Sequence, residues 1–135
     1  MVRTGPNGFT SDILAKGHRL TADEPENVGG ANAGPDPYTL LMSSLGSCTS
    51  MTIKMYADRK KWPLNEVKVH LEHEKVHVED CENCNEKDKI DSFKRYIELE
   101  GDLDEEQRKK LVAIANKCPV HRTLHSDVRV ETFEV

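Results

Sequence analysis

The sequence predicts an α+β domain in which two main helices cover one face of a mainly antiparallel sheet. Two patterns predict it: short paired segments alternate apolar and polar side chains, and two longer stretches, near Pro37 and Asp104, space them helically. Size agrees, because 135 residues suit a single domain, residues 1–135, burying roughly two thirds of the surface its unfolded chain exposes.

The first elements form a hairpin. Phe9, Ser11 and Ile13, then His18, Leu20 and Ala22, alternate around Ala15-Lys16-Gly17. A glycine-rich connection, "ENVGGANAGPDPY", follows, ending where Asp36 can cap a helix and Pro37 can occupy its first turn. From Pro37 to about Lys60 the stripe Leu41, Leu45, Cys48, Thr52 and Met55 repeats at helical period.

Trp62-Pro63 ends that helix. Val67, Val69 and Leu71 then alternate with charged residues as a half-buried strand, and Phe93, Arg95, Ile97 and Leu99 as a second, with Ile90 out of phase and marking a bend. Asp104 and Gln107 approximate a capping box for a helix whose apolar side carries Leu111, Ile114, Ala115 and Cys118. Pro119 breaks it, a short turn "PVHRTL" follows, and Val128 to Val135 alternate as a closing strand. The expected order is β-β-α-β-β-α-β.

Lys plus Arg number 19 against 24 for Asp plus Glu, a net charge of −5, with no block of five like charges. A nucleic-acid partner is disfavoured. No run of about 18 apolar residues occurs, so no membrane span is expected, and "MVRTGPNGFTSD" lacks a secretory pattern, which points to the cytoplasm. Four cysteines in a reducing compartment are too few for a disulfide scaffold and leave redox, metal and core roles open.

A working cysteine must be a thiolate, which requires a cation or a helix N-terminus to favour the charged form. Cys118 has such a source if the turn after it is helical, with His121 and Arg122 in that turn. Cys48 has only the neutral Ser44, Ser47, Thr49 and Thr52 nearby in sequence. On periodicity alone the favoured reading of either cysteine is a small buried hydrophobe.

"GPDPYTLLMSSLGSCTSMTIKMYA" followed by "CPVHRTL" resembles the OsmC/Ohr superfamily, the osmotically inducible and organic-hydroperoxide-resistance proteins. The resemblance runs from about Gly29 to the C-terminus, with the Gly34-Pro35-x-Pro37 helix start, Cys48 and Cys118-Pro119-Val120 in order. It implies the OsmC-like fold as an intertwined homodimer, and a thiol-dependent peroxidase that reduces small hydrophobic hydroperoxides. Cys48 matches the peroxidatic cysteine and Cys118 the resolving one; an external dithiol reductant reopens their disulfide, and no cofactor is implied.

Family peroxidases stabilise the thiolate with an arginine of the N-terminal strand region, held by a glutamate at the start of the long helix. Tyr38 stands ten residues before Cys48 here, and the arginine candidates are Arg3 and Arg19. The alternation that buries His18 and Leu20 turns Arg19 outward. Arg19, Tyr38, His121 and Arg122 are therefore the candidates for stabilising or lining the site, His125 being read as a surface residue.

A different class of function is a binding module holding a small ligand around Cys48 without turnover. A third assigns the work to "HVEDCENC", where His77, Cys81 and Cys84 offer half a metal site or a local disulfide. His73 and His77 fall on the same strand face as Val67, Val69 and Leu71, and no second Cys-x-x-Cys completes four ligands. The expected resident metal is none.

Overall fold

The computed structural model describes residues 1–77 and 89–135 and divides into two compact units, Met1–Ser43 and Ser44–Val135. The architecture is α+β with antiparallel sheets.

In the first unit, strands β1 (Val2–Thr4), β2 (Ser11–Ala15) and β3 (His18–Ala22) form an antiparallel sheet in that order. Lys16 (φ 48°) and Gly17 (φ 88°) make the left-handed turn that lets two strands of right-handed twist reverse tightly. β1 is an addition to the expected elements; three residues are too few to show an alternation. Leu20 is 50% exposed and His18 is exposed as well, contrary to their expected burial. Alternation marks a face, but burial needs something packed upon it.

Asp23 organises the chain beyond β3. Its buried carboxylate accepts hydrogen bonds from Thr10 Oγ1 and the amides of Glu24, Ala31 and Ala33, at 2.8 to 3.2 Å. Asp36 then accepts from the Thr39 amide (2.9 Å) and hydroxyl (2.7 Å) and starts helix α1 (Pro37–Lys60), with Pro37 at its first position. The boundary between the two units falls within α1.

In the second unit, α1 buries Leu45, Gly46, Thr49, Ile53 and Ala57. The buried row is thus one residue out of phase with the expected stripe: Cys48 and Thr52 lie at its edge, and Met55 is 71% exposed. Small residues decide this phase. A Cβ on Gly46 would come within 2.7 Å of Leu71 Cδ1, so the glycine side is where helix and strand approach most closely. Lys61 (φ 57°) closes the helix, with the Trp62 amide bonded to the Ala57 carbonyl at 2.9 Å.

Strands β4 (Leu64–His77) and β5 (Lys89–Gly101) pair antiparallel, with one irregularity between Leu64 and Glu66. Ile90 pairs with Val76 in unbroken register, so the expected bend is absent; it is out of phase because it lies on the face opposite Phe93, where it is exposed. On one face Val67 opposes Leu99, Val69 opposes Ile97, Leu71 opposes Arg95 and His73 opposes Phe93. The other face carries paired charges, including Lys68–Glu100, His70–Glu98 and Lys94–Glu74.

Helix α2 (Glu105–Ile114) begins with the capping box: Asp104 accepts from the Gln107 amide and the Gln107 side chain from the Asp104 amide. Arg108 ties it to the end of β5 by donating to the carbonyls of Leu99, Gly101 and Leu103. A 3-10 turn, Ala115–Lys117, leads to Cys118, and α3 (Pro119–Leu124) follows. Ile53, Ala57, Leu64, Leu103, Leu111 and Ala115 form the core, edged by Tyr56, Trp62, Val67, Ile97 and Leu99. Val128 to Val135 is not a strand, contrary to expectation. An alternating segment becomes one only when another strand supplies its ladder.

Candidate active site

The middle of α1 and the corner between α2 and α3 bring two free thiols together. Cys48 is partly buried one position from Thr49, and Cys118 is wholly buried at the residue preceding α3. The two side chains are close enough for each thiol to act on the ionisation of the other.

The two thiols are tuned in opposite directions. Burial pushes the Cys118 thiol up, but the Cys48 thiol, the His121 amide, the Thr49 hydroxyl and the Val120 amide outweigh it and hold Cys118 below its ordinary value. Pro119 explains why these amides are free: Cys118 is extended (φ −55°, ψ 128°), and the first-turn N–H groups of a helix lack intrahelical acceptors. Burial pushes the Cys48 thiol up, as does its bond to Cys118, with only the Val120 amide and Thr52 opposing. The surroundings therefore favour the thiolate more on Cys118 than on Cys48.

Arg95 closes the back of this corner. Nη1 donates to Thr49 Oγ1 at 2.9 Å and to the Ala115 carbonyl at 3.1 Å; Nη2 donates to Asn116 Oδ1 at 3.0 Å and to His121 Nδ1 at 2.9 Å. His121 accepts at Nδ1, so its ring is neutral with the proton on Nε2. His125 lies over it at 4.2 Å between ring centroids and donates from Nδ1 to the His121 carbonyl.

An open hollow of about 500 Å³ lies between α1 and the α2–α3 corner, lined by neighbours of the two cysteines and not by the cysteines themselves. Thr52, one turn from Cys48, and Pro119, next to Cys118, belong to its lining; Met55, Tyr56 and Ile114 supply apolar wall, and Arg59 and Lys117 supply cations.

Of the residues singled out in the sequence, the structure brings Cys48, Cys118 and His121 together. Arg122 is exposed on α3. Arg19 is exposed on β3 and Tyr38, 45% exposed, lies in the first turn of α1, both in the first unit. Cys81 and Cys84 lie outside the described residues, as does the side chain of His77. Among the described residues, no three His, Cys, Asp or Glu side chains form a group that could hold a metal ion.

Arg95 is the residue sequence reasoning missed. Its signal was present: it sits in phase with Phe93, Ile97 and Leu99, and an arginine on an apolar face must find acceptors there. Thr49 carried no signal, because a helical threonine ordinarily bonds its own backbone.

A family model described as OsmC-like protein matches residues 29–133, and the chain belongs to that family. Solved structures share its fold. An OsmC-like protein from Mycoplasma pneumoniae superposes with a TM-score of 0.66 at 18% identity, covering 86% of this chain and 79% of that one. An organic hydroperoxide resistance protein, OsmC, from Legionella pneumophila gives 0.65 at 21%, covering 92% and 85%. An organic hydroperoxide resistance protein from Elizabethkingia anophelis with thiocyanate bound gives 0.67 at 15%, covering 94% and 86%. No curated protein matches in sequence. Among the described residues, no helix is long and apolar enough to cross a membrane.

Proposed function

We propose that the protein is a thiol-dependent peroxidase that reduces organic hydroperoxides in the cytoplasm, with Cys48 as nucleophile and Cys118 as resolving thiol. The carrying observation is the neighbouring pair of free thiols, one tuned up and one down. The Cys118 thiolate takes the proton of Cys48, and the Cys48 thiolate attacks the terminal peroxide oxygen. The O–O bond breaks, Cys48 becomes sulfenic acid, and the alkoxide leaves as the alcohol after taking the proton back from Cys118. Cys118, again a thiolate, attacks the sulfenic sulfur, forming the disulfide and releasing hydroxide. An external dithiol reduces it, and no resident cofactor is required.

The largely apolar hollow lined by Thr52, Met55, Tyr56, Ile114 and Pro119 suits the alkyl part of such a substrate. A homodimer is part of the proposal: the exposed Val2, Phe9, Leu14 and Leu20 of the first unit are apolar surface that a second copy can cover. Recombinant protein is expected to consume cumene hydroperoxide with a dithiol reductant, and Cys48→Ser to abolish turnover. If Cys48→Ser turns over like the wild type, the nucleophile assignment is wrong.

The raised Cys48 thiol favours a second reading, a module that holds a small hydrophobic or thiol-reactive ligand without turnover. A folded wild-type protein that binds such a ligand and leaves peroxide intact would select it. Stoichiometric zinc in purified protein would instead assign a metal-binding role to Cys81 and Cys84.

A further inference from the structure

We propose that Arg95 is the positioning residue of the thiol pair, its guanidinium aiming the Thr49 hydroxyl at Cys118 Sγ and pinning the chain on both sides of that sulfur. The inference rests on Cys48 and Cys118 forming the reactive pair.

Four acceptors surround one guanidinium, and each borders the pair. Ala115 and Asn116 precede Cys118, His121 follows it, and Thr49 follows Cys48 on α1. Because Nη1 occupies Thr49 Oγ1 as a donor, that hydroxyl must spend its own proton elsewhere. Cys118 Sγ is within its reach. The chain Nη1–H to Oγ1, then O–H to Sγ, lets a fixed positive charge act on the sulfur through one wholly buried hydroxyl. The guanidinium is half-buried on β5, where its planar fork of donors meets all four acceptors.

Among the described residues, Cys48 and Thr49 of α1 and the Val120 and His121 amides of α3 act on Cys118 directly, with Arg95 of β5 behind Thr49 and His121, and His125 behind His121. His121 is held neutral by accepting from Arg95, which leaves the guanidinium as the cation of the cluster. The arrangement answers a chemical need that Cys48's own sequence neighbours do not meet: a thiolate at the end of a buried corner needs a counter-charge, and β5 delivers it from behind.

The test follows the Cβ carbon resonance of Cys118 in cysteine-labelled full-length protein across pH, in a Cys48→Ser background that removes the coupled titration. Arg95→Met and Thr49→Val are each expected to raise the Cys118 midpoint by about 1 pH unit. Combining them should add little, because both cut one relay. Thr49→Ser, which keeps the hydroxyl, should retain the parental midpoint, and Arg95→Lys should recover part of it.

A midpoint unmoved by Thr49→Val overturns the relay, whatever Arg95→Met does. If Arg95→Met fails to fold, the Val and Ser variants at position 49 decide alone. The readout is a resonance and not turnover, so it separates the two ideas: absent peroxide consumption with a midpoint that moves as expected rejects the peroxidase and keeps the relay.

Discussion

Arg95 Nη2 and His121 Nδ1 are 2.9 Å apart, and this hydrogen bond exists only while the imidazole is neutral. Burial, then Arg95, then His125 hold His121 below its ordinary value of 6.5. The unfolded chain therefore takes up this proton more readily than the folded one. The stabilisation is complete above about 6.5 and is lost as the pH falls through the lower folded value. Melting temperature should drop between pH 7 and pH 5 more steeply for the wild type than for His121→Gln; parallel curves would show that His121 does not titrate as described.

The thiols should titrate in a fixed order. In the wild type the Cys118 resonance is expected to move first, below the ordinary thiol range, and Cys48 second, above it. The peroxide rate should rise with deprotonation of Cys118 while Cys48 is still largely protonated. A Cys48 resonance that moves first would remove Cys118 as the acceptor of its proton.

Asp23 makes an acid-sensitive joint in the first unit. Burial pushes its carboxyl up, but bonds from Ala33, Thr10, Glu24 and Ala31 outweigh it and hold it below 3.8. Its contribution is present above that ordinary value and is lost as pH falls through the depressed one. Asp23→Ala should lower the melting temperature at pH 7 by several degrees, and Asp23→Asn by less, with the gap to wild type closing toward pH 3. A constant gap would mean that the charge is not what holds the loop.

Packing in the second unit should sort by row. Leu111, wholly buried in the core, should cost about 2–5 kcal/mol as Leu111→Ala, whereas Met55→Ala should stay within about 0.5 kcal/mol. Gly46→Ala sets a helix gain of about 0.5–1 kcal/mol against displacement of the flexible end of Leu71, which costs a similar amount, so near-neutrality is expected. Denaturant unfolding reads all three. A large loss for Met55→Ala would place the core on the other row.

Local chemistry was the legible part of this sequence. Asp36-Pro37, Lys16-Gly17 and Asp104 with Gln107 each solve a backbone problem with neighbouring residues, and each appears where expected. The phase of α1 was not legible, because whether Leu45-Thr49-Ile53 or Leu45-Cys48-Thr52 faces the core depends on how closely β4 can approach Gly46. The closing strand failed for a related reason, since alternation supplies a face but no partner. Both cysteines were found by motif, but the opposite tuning of Cys48 and Cys118 arises from burial, from each other, from Thr49 and from the His121 and Val120 amides, which converge only in three dimensions.

The one-residue offset on α1 separates two duties of a single helix. Leu45, Thr49, Ile53 and Ala57 anchor it, whereas Cys48 and Thr52 sit on the adjoining row, where Thr52 lines the hollow. Under the proposed chemistry, the residue that is oxidised at each turnover is thus not one of those that anchor the helix. The same division makes positions 52 and 55 places where substrate preference can drift between relatives while the scaffold stays constant.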